Sequence, residues 1–166
     1  TMKNTIILLT MLLFSGIGFA QESNNGKQLW AKSFLNEKAP ELTVETWISK
    51  KPDTEGKFVI IDFWATWCLP CLFQLPEFEK LSEKYPDIRF IGISIDQNEK
   101  LWVKRLKKDG MPAHIQEVLA DPYVVGDAWD ITSIPRFLLI DENFRIINAF
   151  APRPSDREKI EPLLAR

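Results

Sequence analysis

Phe58-Val59-Ile60-Ile61-Asp62-Phe63-Trp64-Ala65, running straight into Thr66-Trp67-Cys68-Leu69-Pro70-Cys71, decides the architecture of this chain. The first eight residues are apolar except for Asp62, the pattern of a strand covered on both faces. From Cys71 onward Leu72, Leu75, Phe78, Leu81 and Tyr85 recur at helical spacing, and Pro86 stops the run. Pro76 lies inside that run and predicts a kink, since proline lacks an N–H and crowds the preceding turn. The Cys-x-x-Cys pair therefore sits where a buried strand turns into a helix, at the strand end where α/β proteins place their sites.

That position has chemical consequences. Unpaired N–H groups and the helix dipole at a helix start favour a thiolate at Cys68. Lowering a thiol from pKa ~8.5 to ~7 takes about 2 kcal/mol of differential stabilisation. The dipole supplies ~0.3–1 kcal/mol, which leaves the Cys71 thiol and nearby amides to supply the rest. A purely structural disulfide is disfavoured, because a bridge between residues three apart closes a very short loop and restrains the unfolded chain little. A zinc site lacks ligands, since the only histidine is the distant His114. Copper(I) suits thiolates and stays open as an alternative.

Outward from this junction, Phe90–Ile95 reads as a second buried strand. Asp96 and Glu99 have N-cap and N3 spacing for a helix to about Asp109, with Leu101, Trp102, Val103 and Leu106 on its buried side. A short strand is expected at Ile115–Leu119 and a short helix at Tyr123–Trp129. Phe137–Ile140 and Arg145–Phe150, separated by Asp141-Glu142-Asn143-Phe144, read as an antiparallel hairpin. Ser155 and Glu158 form a capping box for a last helix that buries Ile160, Leu163 and Leu164, with Pro162 inside it. Upstream, Leu42–Ile48 reads as a strand and Lys50–Lys57 as a loop. Strand, helix, strand, helix, then a hairpin and a final helix make an α/β domain with a mixed sheet.

Composition sets the remaining bounds. The 166 residues are 45% hydrophobic and 27% charged, enough for one domain burying roughly 70% of its unfolded surface. Such a core needs neither a disulfide framework nor a structural metal, so the two cysteines require another reason. A net charge of −2 with mixed signs offers no basic stripe for nucleic acid or an anionic membrane. Lys3, the apolar stretch Ile6–Phe14 and Gly18-Phe19-Ala20 ahead of Gln21 read as a secretory signal peptide over residues 1–20, followed by a polar lead-in, 21–38, and a domain, 39–166. An uncleaved anchor is the alternative, although Thr5–Ala20 is shorter than the ~20 residues of a spanning helix. Both cysteines would then lie outside the cytoplasm, where disulfides persist.

With these residues in view, the chain resembles the thioredoxin superfamily, in particular extracytoplasmic thiol-disulfide oxidoreductases of the TlpA/ResA type. The resemblance covers about residues 39–165 and rests on three blocks: Phe63 to Cys71, Gly92-Ile93-Ser94-Ile95-Asp96, and Ser133-Ile134-Pro135 followed by Phe137-Leu138-Leu139-Ile140-Asp141. It implies a thioredoxin fold, a central mixed sheet flanked by helices, with a strand-helix insertion over about 96–121 and an N-terminal extension.

It also implies roles. Pro135 would be a cis-proline facing the cysteines, with the backbone of Ile134 pairing with an extended substrate segment. Asp62 would be the buried acid beneath the cysteine pair, exchanging a proton with Cys71; Gly92 stands where a lysine partner often lies, which makes Asp62 harder to ionise. Trp67, Leu69 and Pro70 would line the docking surface, and Trp64 would flank the site. Leu72, Phe73 and Gln74 depart from the basic residues and glutamate common after the second cysteine, and Arg136 replaces a common threonine. Arg136 would meet an acidic partner or stand as a solvated surface charge.

The expectation is a monomeric, periplasmic enzyme that needs no cofactor or metal. It would exchange dithiol and disulfide with protein substrates and draw electrons from an upstream donor. Leu69-Pro70 lacks the histidine of strongly oxidising relatives, which favours reduction. The alternatives are a copper-binding carrier of the same fold, whose relatives generally have Cys-x-x-x-Cys and a later histidine, and a thiol peroxidase with antioxidant activity, against which Ala65 stands where peroxidases resemble Thr-x-x-Cys.

Overall fold

The computed structural model describes residues 38–40, 58–110 and 113–165. The expected signal peptide, most of the polar lead-in and the Leu42–Ile48 strand lie outside the described residues.

The elements follow in the order β1 (Val59–Trp64), α1 (Leu69–Leu72), α2 (Leu75–Lys84), β2 (Arg89–Ser94), α3 (Glu99–Asp109), β3 (Ile115–Leu119), α4 (Pro122–Trp129), β4 (Arg136–Ile140), β5 (Ile146–Asn148) and α5 (Arg157–Leu164). They build one five-stranded sheet of order β3-β2-β1-β4-β5. β1, β2 and β3 run parallel, while β4 runs antiparallel to β1 and β5 antiparallel to β4. The strand that is apolar except for Asp62 is thus the middle one, buried at all six positions.

Alternation along β1 divides the core. Ile60 packs with Phe78 and Leu81 of α2 and Ile160 and Leu164 of α5 on one face. Val59, Ile61 and Phe63 pack with Val125 and Trp129 of α4 on the other. Asp62 and Trp64 follow Ile60 on the first face, the side of the cysteine-bearing helix. A third cluster at the carboxyl end of β1 joins Trp64, Cys68, Cys71, Trp102 and Leu119, and α3 covers it.

Three local expectations change in the folded chain. Pro76 does not kink a continuous helix; the helix breaks after Leu72 and restarts at Leu75, which places Pro76 in the first turn of α2. There its missing N–H has no intrahelical partner to lose. The N-cap of α3 is Asn98, whose Oδ1 accepts from Leu101 N–H at 3.3 Å, because Asp96 is occupied elsewhere; Leu101 itself is exposed. The last helix starts at Arg157 with Asp156 as its N-cap, since Ser155 N–H donates to Gln74 Oε1, 3.1 Å away and 81 residues distant in sequence. The expected hairpin forms, with Asp141 Oδ1 accepting from the N–H groups of Asn143 and Arg145 across its turn.

Candidate active site

The site is assembled where β1 ends. Cys68 N–H bonds back to Ala65 C=O at 3.1 Å and closes a tight turn through Thr66 and Trp67. Asp96, just past the end of β2, fixes that turn from outside. Its carboxylate accepts from Thr66 N–H at 2.9 Å, Thr66 Oγ1 at 2.7 Å and Ser94 Oγ at 2.7 Å. The pattern that suggested a helix cap at Asp96 therefore belongs to a buried clamp on the cysteine loop.

Cys68 and Cys71 form a disulfide with Cα atoms 5.2 Å apart. Cys68 is the N-cap of α1, and its Sγ accepts from Cys71 N–H at 3.3 Å. α1 has only four residues, so this amide, rather than a long helix dipole, is the donor that faces the sulfur. The two sulfurs differ in access: Cys68 is 5% exposed and Cys71 is 0% exposed. Adjacent to them in the chain, Trp67, Leu69 and Phe73 are exposed apolar side chains, and Pro70 is exposed as well. Trp67, Leu69 and Pro70 are thus surface residues next to the cysteines in sequence, and Phe73 is an exposed neighbour to which the sequence reading had assigned no docking role.

The Ile134–Pro135 peptide bond is cis. Ile134 packs against the cluster that holds both cysteines, so the segment just before β4 reaches the site from the other side.

Arg136 is not a solvated charge and does not present itself to a partner. It is buried, with its guanidinium 3.6 Å from the centroid of the Phe150 ring and its Nη1 donating to Ala149 C=O at 3.4 Å. As the first residue of β4, between β1 and β5, its side chain goes to the core face. Burial lowers its pKa, and Asp130 partly opposes that. We expect Arg136→Gln to leave disulfide reduction within about twofold while costing about 1–2 kcal/mol for the lost cation–π contact. Insulin reduction and urea unfolding would check this, and a large activity loss at unchanged stability would place Arg136 at the docking surface after all.

Asp62 is fully buried, and neither carboxyl oxygen has a hydrogen-bond partner among the described residues. Burial raises its pKa well above the ordinary carboxylate range, and the nearby Glu117 raises it further. Glu117 is a site residue the sequence reading missed. Its strand pairs with β2 so that Gly92 stands between the two acids, opposite Asp62 on one side and Glu117 on the other. Where a cationic partner is common, this chain has a glycine and, beyond it, a second acid. Glu117 Oε2 accepts from Trp64 Nε1 at 3.0 Å, and burial pushes the Glu117 pKa up to about 7. The signal available in the sequence was Ile115, Glu117 and Leu119 on one face of a short strand, an acid at an otherwise apolar place.

Residues 56–146 match a family model described as thioredoxin-like. Among characterised relatives, the thiol:disulfide interchange protein HelX of Rhodobacter capsulatus is 28% identical over 95% of this chain and 93% of its own length. Among solved structures, a candidate thiol-disulfide oxidoreductase from Bacteroides vulgatus is 41% identical, with a TM-score of 0.61 over 67% of this chain and 78% of that one. A candidate thiol:disulfide interchange protein, DsbE, from Chlorobium tepidum is 26% identical, with a TM-score of 0.64 over 77% of this chain and 93% of that one. With its paired cysteines at the end of the central strand, the chain belongs to the thioredoxin-like family and is a thiol-disulfide oxidoreductase of the TlpA/ResA type.

Proposed function

We propose that this protein acts outside the cytoplasm as a monomeric reductant of protein disulfides, with Cys68 as the attacking sulfur and Cys71 as the resolving one. The observation that carries the assignment is the difference in burial within the pair, Cys68 retaining 5% exposure and Cys71 none. In the reduced protein the Cys68 thiolate attacks one sulfur of a substrate disulfide, and the other substrate sulfur leaves as a thiolate and takes a proton from solvent. Cys71 gives its proton to Asp62 and attacks Cys68 Sγ, which expels the second substrate thiolate and closes the Cys68–Cys71 disulfide. The substrate gains two electrons and the protein loses two, to be restored by an upstream donor.

The Leu69-Pro70 pair supports the reductive direction, since no histidine lies between the cysteines to stabilise the reduced form. Exposed Trp67, Leu69 and Phe73 offer an apolar rim for an extended polypeptide, and Ile134, which packs against the cysteine cluster, would pair with that segment through its backbone. Lys3 and the apolar run after it support export. No helix among the described residues is long and apolar enough to cross a membrane.

The test is covalent capture. Cys71→Ser is expected to stall as a mixed disulfide on Cys68 with extracytoplasmic proteins, released by dithiothreitol and identifiable by mass spectrometry. Cys68→Ser is expected to capture nothing. Equal capture by Cys68→Ser would reverse the assignment of the two sulfurs.

A further inference from the structure

We infer that Glu117 is the outer member of a two-acid proton path, passing protons between Asp62 and a solvent-open groove between the cysteine-bearing segment and α3. The inference rests on the proposed role of Asp62 as proton partner of Cys71.

The geometry begins at Gly92. A Cβ built there would lie 2.3 Å from Glu117 Oε1 and 2.5 Å from Oε2, so the Glu117 carboxyl fills the place of the missing side chain. It is thereby turned along the sheet toward β1, where Asp62 pairs with the same glycine from the other side. Trp64, two residues after Asp62 on that face, holds the carboxyl by its indole N–H. Behind Glu117 a cavity of about 240 Å³ opens between the α1–α2 segment and α3, with Trp64, Leu72, Leu75, Leu106 and Glu117 among its walls. The charged groups facing it are Glu79 from α2, and Arg105 and Asp109 from α3, which are ion-paired with each other. On the opposite side of Asp62 stands Phe137 of β4, which titrates nothing.

This arrangement answers a difficulty in the resolving step. Burial and the neighbouring Glu117 both oppose ionisation of Asp62, and only its ionised form can act as a base. Glu117, lying nearer solvent and titrating near 7, ionises first. An ionised Glu117 can take the proton of Asp62, which leaves Asp62 ionised and able to accept the proton of Cys71. The resulting Cys71 thiolate attacks Cys68 Sγ. The pair has then gained one proton, which Glu117 releases through the groove.

The experiment is stopped-flow measurement of the resolving step, the release of the second thiol from a single-disulfide peptide, from about pH 5 to 9 with full-length reduced protein. Glu117→Gln keeps an acceptor oxygen for the Trp64 indole, so a bracing role survives the substitution while a proton-carrying one does not. It is expected to slow resolution roughly tenfold at pH ~7, to move the rate limb to higher pH, and to leave the first attack on substrate unchanged. Gly92→Ala, which retains the acid but drives its carboxyl from the notch, is expected to do the same.

A limb that moves to lower pH in Glu117→Gln would overturn the inference, because it would make Glu117 only a repelling neighbour whose removal eases ionisation of Asp62. Wild-type profiles in both variants, with a flattened profile in Asp62→Asn, would overturn it and leave the role of Asp62 standing. A wild-type profile in Asp62→Asn would remove that role and the inference with it.

Discussion

Between pH 4.5 and about 7 the oxidised protein is expected to lose about 3 kcal/mol of stability on account of Glu117 alone. The sign follows from proton counting. In the unfolded chain this glutamate ionises near 4.5, whereas in the folded protein it keeps its proton to about 7. Between those limits the native state binds more protons than the unfolded state, so stability falls as pH rises. It is fully present below the lower limit, and the loss is complete above the upper one. Asp62, raised by burial and by Glu117, adds a loss of the same sign.

Half-buried Glu77 and Glu161 work in the opposite direction. Hydrogen bonds from Lys80 and Arg157 to Glu77, and from Lys84 and Arg157 to Glu161, lower their pKa values. Their contribution is lost only as pH falls below the ordinary glutamate range, outside the window in question. Urea unfolding of the disulfide-intact protein at a series of pH values would measure the slope, and Glu117→Gln should flatten it. A wild-type stability that holds level or rises across this window, or a variant with the same slope, would show that Glu117 is solvated in the folded state.

Asp96→Ala is expected to destabilise the protein by roughly 3 kcal/mol and to reduce its activity about tenfold. Buried Asp96 receives three charge-assisted hydrogen bonds, two from Thr66 and one from Ser94. Each is worth roughly 1.5–3 kcal/mol, with less than full additivity, and its loss strands a donor. The Thr66–Trp67 turn would lose its tether immediately before Cys68, so the sulfurs would be held less well for attack. Thermal unfolding and insulin reduction would measure both effects. Asp96→Asn, which keeps an acceptor for one Thr66 donor, should fall between. A loss below about 1 kcal/mol would mean that the turn holds itself.

Asp96 and Asp62 show how little the residue type says by itself. Both are buried aspartates at the same end of the sheet. One is saturated with donors and holds the structure together; the other has none among the described residues and weakens the fold at neutral pH.

The sequence determined the elements and the reactive pair. A short run apolar but for Asp62 and rich in β-branched and aromatic residues reads as a strand covered on both faces, and a Cys-x-x-Cys directly after it places two sulfurs at a strand-to-helix junction, because both signals are local. Tertiary structure decided what the polar residues do. Whether Ser155 caps the last helix or bonds Gln74, whether Asp96 caps α3 or clamps the cysteine loop, and whether Arg136 meets solvent or a phenylalanine ring depended on the fold bringing Gln74, Thr66 and Phe150 within reach. The acid pair depended on register alone, Gly92 aligned with Asp62 on one side and Glu117 on the other. Apolar periodicity is written within a single segment, whereas a polar side chain takes its role from partners that only folding brings within hydrogen-bonding distance.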